Sequence, residues 1–204
     1  MDLGEDRLVA VPVKGKSNPR AIHDVPLSRE AKMWARRVMP RIRTRLAEAN
    51  RVPVGVLIWG PGISSSSPLA RLRSTLRKEL RRDGHAAFFS EELCDARTNH
   101  SVRLQQLAQA QEFDLVVSLP CTTGSIAELH DFAADRRVNG KTLVFINGTH
   151  ADGYANQSIA SIANILSCRV ERYASDREIS IIKTITLEEV QRIREMKYIL
   201  AGRF

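Results

Sequence analysis

Hydrophobic positions change spacing several times along the chain, and each change predicts an element. Trp34, Val38, Ile42 and Leu46 recur every four residues, which predicts an amphipathic helix over 28–49 with Ser28 as its cap. Pro40 falls inside it and predicts a kink, and Asn50 is a plausible stop. Val54, Val56, Leu57, Ile58 and Trp59 form a short apolar run that suits a buried strand. Gly60-Pro61-Gly62-Ile63 and four serines follow, and Pro68 suits the first turn of the next helix. Leu69, Leu72, Leu76 and Leu80 mark that helix's inner face, and Gly84 stops it. Later strands are expected at Ala86–Phe89, Leu115–Leu119, Thr142–Ile146 and Cys168–Tyr173. Helices are expected over Asn99–Gln111, from Ser125, over Ile159–Leu166 and over Leu187–Leu200, while Ile179–Ile185 reads equally as strand or helix.

Strands alternating with helices predict an α/β fold: a flavodoxin-like, open, mainly parallel sheet of about five strands with helices on both faces. The expected organisation is an irregular arm over 1–27, a basic amphipathic helix over 28–50 and an α/β domain over 51–204. Right-handed crossovers put all strand C-termini on one rim, where ligands of such sheets bind.

Composition narrows the class. The 204 residues are 43% hydrophobic and 26% charged, a globular balance that excludes wholesale disorder. No apolar stretch is long enough to span a bilayer, so no membrane partner is expected, and the acidic Met1–Asp6 segment does not read as a secretory signal. Cys94, Cys121 and Cys168 are odd in number and widely spaced, and the five histidines lack ligand spacing. A cytoplasmic protein with reduced thiols, no metal and no cofactor is expected. The net charge of +8 is uneven: residues 29–51 carry +6 and residues 69–83 carry +4. Such asymmetry points to a polyanionic partner, either a phosphorylated ligand or nucleic acid bound through the basic helix.

Three turn-rich segments fall at predicted strand C-termini. From the first, Gly60, Gly62, Ser64 and Ser65 offer backbone N–H groups and hydroxyls to an anion. The second contributes Ser90, with Glu91 and Glu92 beside it. The third, Pro120-Cys121-Thr122-Thr123-Gly124-Ser125, leads into a helix bearing Glu128. Asn147 ends the fourth strand on the same rim, and His150, Asp152 and Tyr154 follow it. Two readings compete for Glu128. It closes a capping box with Ser125 as N-cap, or its carboxylate projects into the cleft. Trp34 and Trp59 read as packing residues.

Pro120, Gly124, Ser125 and Glu128 have the spacing of the P-G-G-x-G-T-x-x-E signature, and so the segment resembles LOG-type phosphoribohydrolases. Cys121 and Thr122 stand where that family has glycines, and Ser125 where it has Thr. Asp114, Gly124, Glu128-Leu129, Ala133 and Lys141–Ile146 are similar to the core of nucleoside 2-deoxyribosyltransferases, and Glu128-Leu129 is similar to the catalytic Glu-Leu of TIR domains. The resemblance implies a nucleotide, nucleoside or NAD-like ligand, Glu128 as the catalytic carboxylate, and Pro120, Gly124 and Ser125 bordering ribose or phosphate. It also implies an N-glycosyl hydrolase or transferase, or a non-catalytic nucleotide sensor, and an oligomer. A carboxylate fits that chemistry because breaking a ribosyl C–N bond develops positive charge at C1′. Glu91, Glu92, Asp95 and Asp152 are the candidates for a general acid.

Overall fold

The computed structural model describes residues 28–148, 167–174 and 178–201. The expected arm over 1–27, the expected helix over 159–166 and His150, Asp152 and Tyr154 lie outside the described residues. The chain divides into two compact units, Met1–Thr44 and Arg45–Phe204.

Helix α1 runs from Arg29 to Ala49 (Arg29–Ala49). The Ser28 hydroxyl accepts the Ala31 N–H at 3.2 Å, as its sequence position predicts. The helix is continuous across Pro40. It buries no residue, and Trp34 is 60% exposed, so the packing role expected of that side chain is not met.

The second unit contains five parallel strands in the order β2-β1-β3-β4-β5. These are β1 (Gly55–Trp59), β2 (Ala86–Phe89), β3 (Leu115–Ser118), β4 (Thr142–Asn147) and β5 (Arg169–Tyr173). The order reverses between β1 and β3, giving a flavodoxin-like α/β sheet with its switch point at those two strands. The helices are α2 (Pro68–Arg82), α3 (Ser90–Leu93), α4 (Val102–Glu112), α5 (Thr123–Ala133) and α6 (Ile179–Leu200). The ambiguous 179–185 stretch is thus helical. Its isoleucines sit on a continuous helix with Ile182 and Val190 buried on one face, so tertiary burial overrides β-branched propensity.

Alternation along β1 explains why both sheet faces are dry. Val56 and Ile58 pack with Leu69, Leu76 and Leu80 of α2 and with Ile182 and Val190 of α6. Leu57 and Trp59 pack on the other face with Ala110 of α4 and Phe132 of α5. Trp59 and Phe132 lie with ring centroids 4.7 Å apart. Asp114, just before β3, accepts the Gly55 N–H at 2.7 Å and pairs with Lys197 at 2.7 Å, which fixes the start of β1 at the edge opposite the rim. Gly84 ends α2 with φ +84°, a conformation that disfavours side chains.

One packing contact makes stability pH-dependent. His85 Nδ1 accepts the Val54 N–H at 3.1 Å, and Arg194 Nη2 lies 2.7 Å from Nε2. Burial, then the Arg194 charge, holds this imidazole below its ordinary value of 6.5, with Asp83 opposing. On acidification the unfolded chain therefore binds the proton first. The histidine's contribution is fully present above its unfolded value of 6.5 and is lost as pH falls toward the folded value. The urea midpoint is expected to drop between about pH 7 and about pH 5. His85→Asn, whose Oδ1 can take the Val54 N–H, is expected to flatten that drop. Glu91, Glu92 and Glu189, held below their ordinary carboxyl values, lose their contributions only at lower pH.

Candidate functional site

The site forms where the β1–α2 and β3–α5 loops leave the switch point in opposite directions. Helix α5 begins at Thr123, earlier than the expected start at Ser125. Thr122 adopts the extended N-cap conformation, and its Oγ1 accepts the Ser125 N–H at 3.2 Å. The Ser125 hydroxyl accepts the N–H groups of Cys121 at 3.0 Å and Thr122 at 2.9 Å, and donates to the Thr122 carbonyl at 2.9 Å. Ser125 is therefore the third helical residue. Its buried hydroxyl ties the loop together instead of serving as the N-cap.

That shift decides between the two readings of Glu128. With Thr122 as cap, Glu128 lies a turn too far along to reach the cap's N–H. Gln106 of α4 instead donates from Nε2 to Glu128 Oε1 at 3.1 Å. Among the described residues, Oε2 carries no hydrogen bond. Glu128 lines a small hollow of about 70 Å³ with Trp59, Gly60, Arg73, Ser90, Glu91 and Gln106.

Arg73 underlies this hollow. The residue is 1% exposed, and its guanidinium grips Glu91 through two parallel bonds of 2.8 and 2.6 Å. It also donates to the carbonyls of Pro61 at 2.8 Å and Ile58 at 2.6 Å, and stacks 4.2 Å above the Phe89 ring. Burial alone would raise the Glu91 carboxyl, but the Arg73 bonds and charge hold it below the ordinary range. Glu92 is likewise held low: its capping bond to the Phe89 N–H at 2.8 Å and its pairing with Arg77 outweigh burial. Both carboxyls are thus fixed anions, which suits neither to donate a proton. Asp95 is engaged with its own loop, accepting the Arg97 N–H at 2.8 Å.

A larger groove of about 320 Å³ lies on the other side of the β1–α2 loop. Ser65, Ser67, Pro61, Thr122, Asn147 and Tyr173 are among its walls, so the start of α2 and the N-cap of α5 both border it. Ser67 caps α2 by accepting the Ala70 N–H at 3.2 Å. This volume falls at the lower end of small-ligand pockets.

The predicted residues therefore divide. Gly60, Ser90 and Glu128 border the hollow, and Ser65 and Asn147 border the groove. Gly62, Ser64, Pro120 and Gly124 line neither. Gly62 and Ser64 are exposed, Pro120 is buried behind β3, and Gly124 forms the exposed first turn of α5. Ser90 is not in an open loop: it starts α3, is 2% exposed and donates to Gln109 Oε1 at 2.8 Å. Cys121 carries no activated thiol. Partial desolvation raises its pKa, against smaller lowering effects of Ser125 and Arg73.

Arg73 and Gln106 were not among the expected site residues. Arg73 contributes to the +4 of residues 69–83, yet its spacing from Leu69 and Leu76 puts it on the inner stripe of α2. Gln106 stands four residues before the buried Ala110, so it too shares an inward face. A polar residue at an apolar helical position was the available signal in both cases.

Gly60 serves by close approach. With φ +155°, a Cβ there would sit 3.0 Å from Leu119 Cβ and 3.4 Å from the Leu119 carbonyl oxygen. Gly60→Ala is expected to cost about 1–3 kcal/mol in urea unfolding, because the two rim loops must part to admit the methyl group.

A third cavity, of about 170 Å³, lies at the opposite ends of the strands. Its charged walls already have partners: Lys141 donates to the carbonyls of Gln111 and Phe113, and Glu189 pairs with Arg169 and Arg192. Among the described residues, no group of His, Cys, Asp and Glu side chains could hold a metal ion, and no helix is long and apolar enough to cross a membrane. No protein-family model matches the chain, and no curated protein matches it.

Proposed function

We propose that the rim binds a nucleotide, nucleoside or NAD-like molecule, and that the protein cleaves or transfers at its N-glycosidic bond, with Glu128 as the catalytic carboxylate. One observation carries this reading. The Glu128 carboxylate is released from helix capping by the Thr122–Ser125 pair, held through one oxygen by Gln106, and turned to a hollow at the sheet's switch point.

The chemistry follows from that arrangement. As the C1′–N bond breaks, its electron pair leaves with the base and positive charge grows at C1′. The free Oε2 of Glu128 stabilises that charge or bonds to C1′, and water or an acceptor nucleophile completes the exchange. The Gln106 bond keeps the carboxylate oriented without neutralising it. The ribose phosphate or diphosphate is assigned to the groove, which the N-caps Ser67 and Thr122 border and where the dipoles of α2 and α5 supply partial positive charge.

The locked state of Glu91 and Glu92 narrows the substrate. Of the candidate acids among the described residues, Glu91 and Glu92 stand as anions, an arrangement that suits a leaving group needing no proton. A pyridinium base such as the nicotinamide of NAD leaves neutral when it takes the bonding electrons, whereas adenine leaves as an anion. Incubation with NAD, AMP and deoxynucleosides, with free base measured by chromatography, tests this. Release of nicotinamide faster than of any other base is expected. Tight binding with no base released from any of them would replace the enzymatic reading with that of a nucleotide sensor.

A further inference from the structure

We propose that α1 is an interfacial helix that lays the chain on an anionic phospholipid surface. The proposal is independent of the rim and its chemistry. Trp34, Val38, Met39, Ile42 and Leu46, with three alanines, occupy an arc of about 140° on a helical projection. Arg45 near one edge is the single charge within it. Trp34 and Leu46 are each 60% exposed, and Met39 and Ile42 are more than 40% exposed. Lys32, Arg36, Arg37, Arg41 and Arg43 lie in the remaining arc, which also holds Glu30, Glu48 and the exposed Met33, and the segment from Arg29 to Arg51 carries +6. A helix with a broad apolar face and an arginine-rich polar face is suited to lie in the plane of a bilayer surface. Its apolar side chains then enter the acyl boundary and its cations meet lipid phosphates. The expectation of no membrane partner rests on spanning alone, and lying in the interface makes a different demand.

The other occupants fit less of the helix. A partner helix in a coiled coil needs a narrow seam with alternating three- and four-residue steps. The strict four-residue steps from Trp34 to Leu46 instead walk about 120° around the axis. A second copy of α1 paired through the apolar arc would bring the flanking cations Lys32, Arg41, Arg43 and Arg45 of both helices near one another and leave the other arginines without an anionic partner. Nucleic acid would neutralise the arginines and leave Trp34, Ile42 and Leu46 in water. An anionic bilayer takes up the charge and the apolar arc together.

The test uses the full chain and sedimentation with vesicles of phosphatidylcholine alone or containing phosphatidylglycerol. Co-sedimentation with the anionic vesicles only, weakening at high salt, is expected. Trp34 emission is expected to shift to the blue on binding, while Trp59, 2% exposed in the core, contributes a constant background. Trp34→Ala combined with Leu46→Ala, and separately charge reversal at Arg36, Arg37, Arg41 and Arg43, are each expected to cut binding by about tenfold or more. These side chains are exposed, and an unchanged circular dichroism spectrum verifies that the variants fold. No binding to anionic vesicles overturns the proposal. So does vesicle binding that the apolar double variant leaves intact. Self-association, or binding to DNA or RNA, abolished by these variants while vesicles remain unbound would assign the helix to a second copy or to nucleic acid instead.

Discussion

Glu128→Gln is expected to lower base release from NAD by about 10²- to 10⁴-fold with the fold intact. The substitution keeps the size of the side chain and an oxygen for Gln106 Nε2, so the 3.1 Å bond between α4 and α5 has a neutral counterpart. What disappears is the negative charge facing C1′, which matters most when the sugar is most cationic. Loss of turnover with nearly unchanged nucleotide affinity is therefore expected, and the change in urea stability should stay within about 0.5 kcal/mol. Single-turnover kinetics and a binding isotherm on the same preparation separate the two. An equal loss of affinity and rate would make Glu128 a binding residue alone.

Arg73→Met is expected to give the largest loss of stability, about 2–4 kcal/mol by urea unfolding. Methionine keeps much of the apolar stem but leaves the carbonyls of Ile58 and Pro61 without donors and removes the cation over Phe89. The Glu91 side chain is 45% exposed and can rehydrate, which keeps the cost below that of stranding a fully buried charge. Arg73→Lys restores a charge but not the two-pronged fork, so it should recover only part of the loss. Because Arg73 holds the β1–α2 loop against α3, base release should fall in both variants. An Arg73→Met protein as stable as the parent would contradict the view that this guanidinium braces the rim.

The parts of the fold that were legible in the sequence were those where one physical requirement dominates. The run Val54–Trp59 must be buried on both faces, and only a central parallel strand provides that. The leucine stripe of α2 and the stop at Gly84 were equally direct. The start of α5 was obscured because Thr122, Thr123 and Ser125 all have cap chemistry. Which of them takes the role depends on a network within the loop, in which Ser125 satisfies the N–H groups of Cys121 and Thr122. That one-turn difference moved Glu128 from a capping position to the wall of a hollow. Trp34 misled for a related reason: helical periodicity reports an apolar face, not what covers it. The braces of the site, Arg73 and Gln106, were hidden because their partners are distant in sequence. Glu91 lies 18 residues from Arg73, and Glu128 lies 22 residues from Gln106.

A titration with NAD followed by amide NMR tests the location of the site most directly. Shifts are expected in the side-chain NH₂ of Gln106, whose partner is Glu128, and in the backbone amides of Gly60, Thr122 and Gly124 around the two loops. They should saturate together at one ligand concentration. Saturable shifts confined to the opposite strand ends, around Lys141 and Arg192, or a silent Gln106 side chain at full occupancy, would contradict the account.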